Sequence, residues 1–309
     1  MKRLIPLAFC LPLFAQQTQS TYISDLNGRS VPWGNVTVTK SGNTLTVTEL
    51  TQSINGRTVP LQSVEERVIR EDSAGRVVER IIRRYDATGN PGPLERQIID
   101  EKKNADGSVT SVTSIYRGDL NGRFQLAERT TSEGRKSGSQ QTTTTVVERP
   151  GINGAFDVAE RQTLVVRDDG GKSHSDFTVF RKDSTGRFSE AFRVVTTQEE
   201  QDGQRLENIA QYELTDSGKL NLAAQTVVRA RKNPDGTESR EVDIYRAVPG
   251  VVNTTGKPVL YERQLIEQRR QGEKLIETTS VQRPTVSDPK RLGAPQKIAE
   301  RVCSGTNCK

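Results

Sequence analysis

The chain has 309 residues, of which 32% are hydrophobic, 27% charged and 5% aromatic, and its mean hydropathy is −0.66. That composition leaves little material for a thick core, and a single histidine, His174, beside three cysteines excludes histidine-rich metal sites. The balance of 45 Lys and Arg against 39 Asp and Glu, formally +6, is too mild for the concentrated basic patch of a dedicated nucleic-acid binder.

The N-terminus reads as a targeting segment. Lys2 and Arg3 precede an apolar run from Leu4 to Ala15, the length of a secretory h-region and too short to span a bilayer. Cleavage after Ala15 is expected, and loss of the two positive charges Lys2 and Arg3 takes the formal charge from +6 to +4. Leu7-Ala8-Phe9-Cys10 has the outline of a lipobox, but Phe9 is bulky where a small residue is wanted, so a plain signal peptide over 1–15 is the reading. The chain is therefore expected in the periplasm, on the cell surface or outside the cell. Two cysteines then remain, Cys303 and Cys308. They flank a glycine-containing tetrapeptide, and in an oxidising compartment they are expected to form a disulfide that closes a terminal loop. A lone cysteine pair cannot complete a tetrahedral zinc site, and no metal or other cofactor is expected.

Between these ends, over 16–283, the chain is repetitive. Four-residue units that close on glycine recur, with glycines at 28, 56, 75, 89, 107, 122, 154, 186, 203, 236 and 256, and all but those opening on Gly151 and Glu200 open on Asp, Asn or Ser. The opening side chain can bond its own backbone and the glycine takes positive φ, which is what a type I turn with a G1 bulge requires in a β-hairpin. Gly122, Gly154, Gly186 and Gly218 are each 32 residues apart. The segments between turns, such as Thr37–Thr48 and Thr142–Val147, are rich in Thr, Val, Ile and aromatics and show no helical period. The expectation is an all-β, long antiparallel meander of about 14–16 strands, built from hairpin repeats of ~32 residues as a curled or coiled sheet, with a closed barrel or a propeller as alternatives. Residues 284–309 read as a loose connector, a last short strand and the disulfide-closed tail.

Three columns emerge when the repeats are stacked. Aromatic and apolar residues flank the turns, Tyr85, Tyr116, Val147, Phe180, Tyr212 and Tyr245 before them and Leu94, Phe124, Phe156, Phe188 and Leu220 after them, as if each hairpin carried a small clasp. Ala127, Ala159, Ala191 and Ala223 form a column of small residues, as though something packs closely above. Arginine forms the third, with Arg96, Arg129, Arg161 and Arg193, a break at Gln225, and a continuation at Arg263 and Arg301. Elsewhere, as in Val77–Arg84, apolar and charged residues come in pairs and neither face of the sheet is clean.

Tyr85-Asp86-Ala87-Thr88-Gly89, followed by Leu94, resembles the tyrosine–aspartate repeat of bacterial YD/RHS-type surface and toxin-shell proteins, and Phe180–Phe188 and Tyr212–Leu220 are degenerate versions of it. The resemblance implies a β-rich extracellular shell or scaffold. The family's repeats are shorter than 32 residues, which is where this chain departs from it.

Candidate chemistry is sparse. Glu128-Arg129, Glu160-Arg161, Glu262-Arg263 and Glu300-Arg301 could suggest a glycosidase cleft, but a catalytic pair should occur once, and these recur with the repeat. His174 lies near Gly170-Gly171 and reads as a surface histidine in or near a turn, and Gly170-Gly171-Lys172-Ser173 lacks the earlier glycine and following helix of a phosphate loop. An outer-membrane barrel is disfavoured by the charge pattern. The expected function is an exported, non-catalytic scaffold or binding surface, with a secreted hydrolase carrying one acidic cleft as the rival. Its expected partners are another envelope protein or an extended anionic polymer held on a ladder of Arg129, Arg161 and Arg193, against the simpler reading that these arginines pair with acids on intervening strands.

Overall fold

The computed structural model describes residues 17–24, 30–52, 58–119, 123–183, 185–201, 203–215, 218–247, 258–285, 288 and 291–304. The targeting segment, Cys308 and the turn glycines Gly28, Gly56, Gly122 and Gly256 lie outside them. The expected Cys303–Cys308 bridge thus involves a residue outside the described set, while Cys303 itself is buried.

The strands follow one another in chain order. They begin with β1 (Gln17–Ser24), β2 (Ser30–Ser41), β3 (Thr44–Gln52), β4 (Thr58–Asp72), β5 (Gly75–Tyr85) and β6 (Pro91–Lys103). Next come β7 (Val109–Gly118), β8 (Phe124–Ser137), β9 (Gln140–Pro150), β10 (Phe156–Asp168), β11 (Lys172–Lys182) and β12 (Phe188–Gln201). The set ends with β13 (Gln204–Leu214), β14 (Leu220–Lys232), β15 (Glu238–Arg246), β16 (Val259–Gln271), β17 (Lys274–Gln282) and β18 (Gln296–Ser304). All are antiparallel in one 18-stranded sheet, and β1 bonds both β2 and β18, so the sheet closes into a barrel. The main expectation of a coiled open sheet with 14–16 strands is corrected on both points. The last short strand, β18, belongs to the barrel wall.

The miscount has a local cause. Several strands are joined by two-residue turns, Gly42-Asn43, Gly138-Ser139 and Gly272-Glu273, whose glycines have φ near +60° but which lack the Asx-opened, glycine-closed signature. Those turns lie on one rim. The opposite rim carries the 32-residue beat, in five-residue loops such as 86–90, 151–155 and 183–187. In the first, the Asp86 N–H donates to Asn90 O at 2.9 Å, and Gly89 at φ +89° donates to Asp86 O at 3.0 Å. The Asp86 carboxylate accepts from the Thr88 hydroxyl and from the Thr88 and Asn90 N–H groups, which draw its pKa down to about 2. Asp183 repeats this with Thr185 and Arg187. The Asp and Gly of the tyrosine–aspartate string are thus loop-building residues.

The alanine column has a structural explanation that its sequence spacing does not reveal. Register skips Ala127, Ala159, Ala191 and Ala223 in turn: Ile115 pairs with Glu128 but Tyr116 with Leu126, and the later repeats follow suit. Each alanine is the extra residue of a β-bulge just inside the long-loop rim, where the strand bends and two residues oppose one. Trp33 and Tyr261 occupy the same place in β2 and β16 with rings 38% and 45% exposed, so a small side chain is accommodated there but not demanded. The five-residue loops and bulges also displace the expected clasps: Tyr116 faces Leu126, Tyr212 faces Leu222 and Tyr245 faces Leu260, while Phe124 faces Gly118.

Following the register around the wall separates two faces. Val38, Val78, Ile82, Val147, Val179, Ala230, Val281 and Cys303, all buried, share one, hereafter the crowded face; a row across it runs Val38, Val47, Val64, Ile82, Glu95. The other, open face holds fewer buried groups, among them Ile276 and Asp243. The accessible surface, 20758 Å², is about 1.6 times the roughly 13,000 Å² expected for a compact protein of this mass, as a single-layered wall requires.

Backbone approach is closest at Gly75, where an added Cβ would lie 2.0 Å from the Glu101 carbonyl oxygen; the Lys103 N–H to Ala74 O bond, 2.8 Å, holds β6 over this corner. Gly75→Ala is expected to destabilise the barrel by about 2–4 kcal/mol through this clash. Gly154→Ala, with φ +76° but open space around it, should cost only about 1–2 kcal/mol. Denaturation midpoints of the two variants against the parent chain check the order.

Candidate functional site

The side chains just inside the long-loop rim form two belts, one on each face. On the crowded face, the glutamate that follows the bulge in β8, β10 and β16 reaches an arginine near the end of the following odd-numbered strand or just beyond it. Glu128 accepts from Arg149 at 2.7 Å, Glu160 from Arg181 at 2.8 Å and Glu262 from Arg283 at 3.1 Å. Glu95 lies 3.7 Å from Arg84 and 3.8 Å from Arg117. A glutamine two residues on adds an amide donor in three cases, Gln97 to Glu95, Gln162 to Glu160 and Gln264 to Glu262. The Glu-Arg dipeptides singled out in the sequence are therefore not pairs: adjacent residues on a strand point to opposite faces, Glu128, Glu160 and Glu262 each bond an arginine further along the chain, and Glu300 bonds Lys297 of its own strand at 2.7 Å.

On the open face runs the arginine column as far as Arg263, while Arg301 lies on the crowded face in register with Glu277; the acids that bond Arg96 and Arg193 stand seventeen positions earlier, and the one that bonds Arg263 twenty. Arg96 donates to Glu79 at 2.8 Å, and Glu79 also accepts from Arg67 at 2.9 Å. Arg193 donates to both oxygens of Asp176, through Nε at 3.0 Å and through a second, shorter contact from Nη2. At Gln225, where the arginine run breaks, the acid is also replaced: Gln225 donates to Asn208 at 3.0 Å. The corresponding residues behind Arg129 and Arg161 are Val112 and Thr144, neither of which can accept a charge. Those two arginines make no ion pair among the described residues. Their guanidinium groups lie over the rings of Phe156, at 5.6 Å, and Phe188, at 4.5 Å. Of the proposed ladder of Arg129, Arg161 and Arg193, the structure leaves the first two exposed and engages the third with an acid.

Asp243 is the most enclosed carboxylate of this face, with a side chain 1% exposed. Arg263 grips it from Nε at 2.6 Å and Nη2 at 3.0 Å, and Arg229 adds a bond at 2.8 Å. Burial pushes its pKa up, but the hydrogen bonds and charges of the two arginines outweigh that and hold it below the ordinary aspartate value. Asp176 is lowered chiefly by its bond from Arg193, and Glu79 by its bond from Arg96.

Three of the cavities that break the wall's surface among the described residues bear on these belts or on His174. One of 390 Å³ on the crowded face is lined by Leu45, Val47, Val64 and Ile82 together with Glu66, Arg80 and Glu95. Its acids are engaged, Glu66 by Arg80 at 2.7 Å and Glu95 as above. The others, 640 and 350 Å³, lie near the short-turn rim and share Glu199, which pairs with Lys172 at 2.8 Å. His174 borders the smaller one as the third residue of β11, in register with Arg167 and Thr197 and close to the turn at 169–171. Among the described residues no group of three His, Cys, Asp or Glu could hold a metal ion.

No family model matches the sequence, and no curated protein matches it. Among solved structures, CdiB from Acinetobacter baumannii is similar at a TM-score of 0.40 and 9% identity, the match covering 94% of this chain and 59% of that one. The chain thus spans about three-fifths of that neighbour's length.

Glu79, Asp176 and Asp243 stay charged in the folded barrel at lower pH than in the unfolded chain. The stability they contribute is complete above the unfolded carboxylate range near pH 4 and is lost as pH falls through their depressed folded values. The denaturation midpoint should therefore hold from about pH 7 to 5 and fall steeply below about 4. Asp243→Asn should cost on the order of 2 kcal/mol at pH 7, less than a fully buried pair because both arginines are partly exposed, and should make the acid limb shallower.

Proposed function

We propose that the chain is an exported envelope protein whose barrel is a water-filled, non-catalytic scaffold with binding surfaces on its wall. The observation that carries this reading is the recurrence of polar belts on both faces in step with the repeat: a catalytic constellation breaks a repeat once, whereas these charges return in several hairpins and most of them bond one another. Side chains inside a cylinder converge and those outside diverge, which supports the crowded face as the lumenal one. From strand spacing of ~4.8 Å and a tilt of ~40°, eighteen strands give a backbone diameter of roughly 35 Å, wide enough for an aqueous interior.

The same belts bear on how such a barrel meets a bilayer. A lipid-facing wall needs an apolar band roughly 25 Å tall, and charges placed at its midplane cost about 2–4 kcal/mol each. On the open face Arg67, Glu79, Arg96, Asp176, Arg193, Asp243 and Arg263 fall within the strands, and on the crowded face Glu66, Arg80, Arg240 and Glu277 do. Both faces suit water. No helix among the described residues is long and apolar enough to cross a membrane, a fact that says nothing about strands; the reading rests on the charges. The tyrosine–aspartate resemblance adds a shell or scaffold role of the same kind.

Expression of the full chain in a bacterium with two membranes tests this. Recovery of leader-free protein from the envelope or medium without detergent is expected. Recovery in the cytosol with the leader attached, or from membranes only after detergent extraction, would overturn the proposal.

A further inference from the structure

We propose that Arg129 and Arg161, on the open face of β8 and β10, form a docking strip for an extended polymer bearing phosphate or sulfate groups. This deepens the binding-surface reading above by giving the surface a ligand class. The argument starts from the arginine column and its exceptions. Wherever the residue seventeen positions back is an acid, the arginine is bound to it, and where it is an asparagine the arginine itself has become a glutamine. The charge at this position is thus neutralised or removed in the neighbouring repeats. It survives, exposed, only where Val112 and Thr144 take the acid's place in two consecutive repeats.

Both guanidinium groups are also oriented. Stacking on Phe156 and Phe188 reduces the rotamer freedom that an exposed arginine would otherwise lose on binding, and leaves the edge N–H donors of the planar group facing water, where they match the paired oxygens of a phosphate or sulfate. The two sit two strands apart and two residues out of register along the strand, which places them roughly 10–12 Å from one another. One small anion cannot bridge that gap; a polymer with regularly spaced charges can. Glu148 stands in register with Arg129 on the intervening strand without pairing with it, so Arg161, whose cross-strand neighbours are Val146 and Phe180, is the stronger half of the strip.

The test uses the leader-free chain and long-chain inorganic polyphosphate, with binding followed against salt. Binding should weaken as salt rises, and Arg129→Gln and Arg161→Gln should each make the logarithmic salt slope shallower by roughly one. Thr144→Asp keeps Arg161 but supplies the acid that holds Arg193 in the next repeat, so it should reproduce Arg161→Gln with the fold intact by circular dichroism. Lys172→Gln removes the same charge from the same face, but from a lysine already paired with Glu199, and should leave the slope unchanged. The proposal is overturned if the parent chain ignores polyphosphate at low salt, if the double arginine variant binds like the parent, or if Lys172→Gln weakens binding as much as Arg161→Gln. Displacement by orthophosphate at equal phosphate concentration would also overturn it, as would a preference for anionic vesicles over the polymer. These outcomes leave the fractionation result untouched, so the two proposals fail separately.

Discussion

Closure of the hydrogen-bond ladder is the constraint from which the rest of this structure follows. A single-layered sheet has no second layer to press against, so its most buried positions are mainly small valines beside half-buried polar groups. What holds such a wall is that β1 finds β18, leaving each strand with a neighbour on either side and the sheet without edges. Because the circle must close in register, the offsets of all the hairpins have to sum to one fixed shear. The repeated loop and the repeated bulge contribute to that sum, and the side-chain belts sit where the bulges place them.

Much of this was legible in the residues, and the boundary of legibility has physical causes. Asp86, Gly89, Asp183 and Gly186 announce their loops because a capping carboxylate and a positive φ demand particular residue types. Gly42-Asn43 and Gly272-Glu273 are nearly silent because two residues suffice and the flanking strands carry no marker, so the strand count came out low. The alanines at 127, 159, 191 and 223 were visible as a period but not as bulges, since a bulge is a property of two strands and the sequence displays one at a time. Closure itself leaves no periodic trace: nothing in Gln17–Thr21 alone names Ala299–Cys303 as its partner.

The arginine column shows the same division. Its positions could be read directly, whereas its fate at each position depends on a residue on the strand before, in a register that only the bulges define. The rule that emerges is pairwise: acid with arginine, amide with amide, and a ring as the arginine's remaining contact where the acid is missing. A feature that repeats serves the wall, and one that departs from its repeat while keeping its charge is where recognition chemistry should be sought.

The seam between β1 and β18 carries only five register pairs, Gln17–Thr21 against Ala299–Cys303, and it joins the first described strand to the last. No shorter portion of the chain can form it. Until β18 has been synthesised, the growing meander keeps two raw edges open to other chains, and the contact that seals it is the strand pairing of greatest sequence separation among the described residues. A protein of this architecture therefore depends on whatever shields those edges while it folds, and a truncation that removes β18 would forfeit the cylinder as a whole even though every other hairpin is complete.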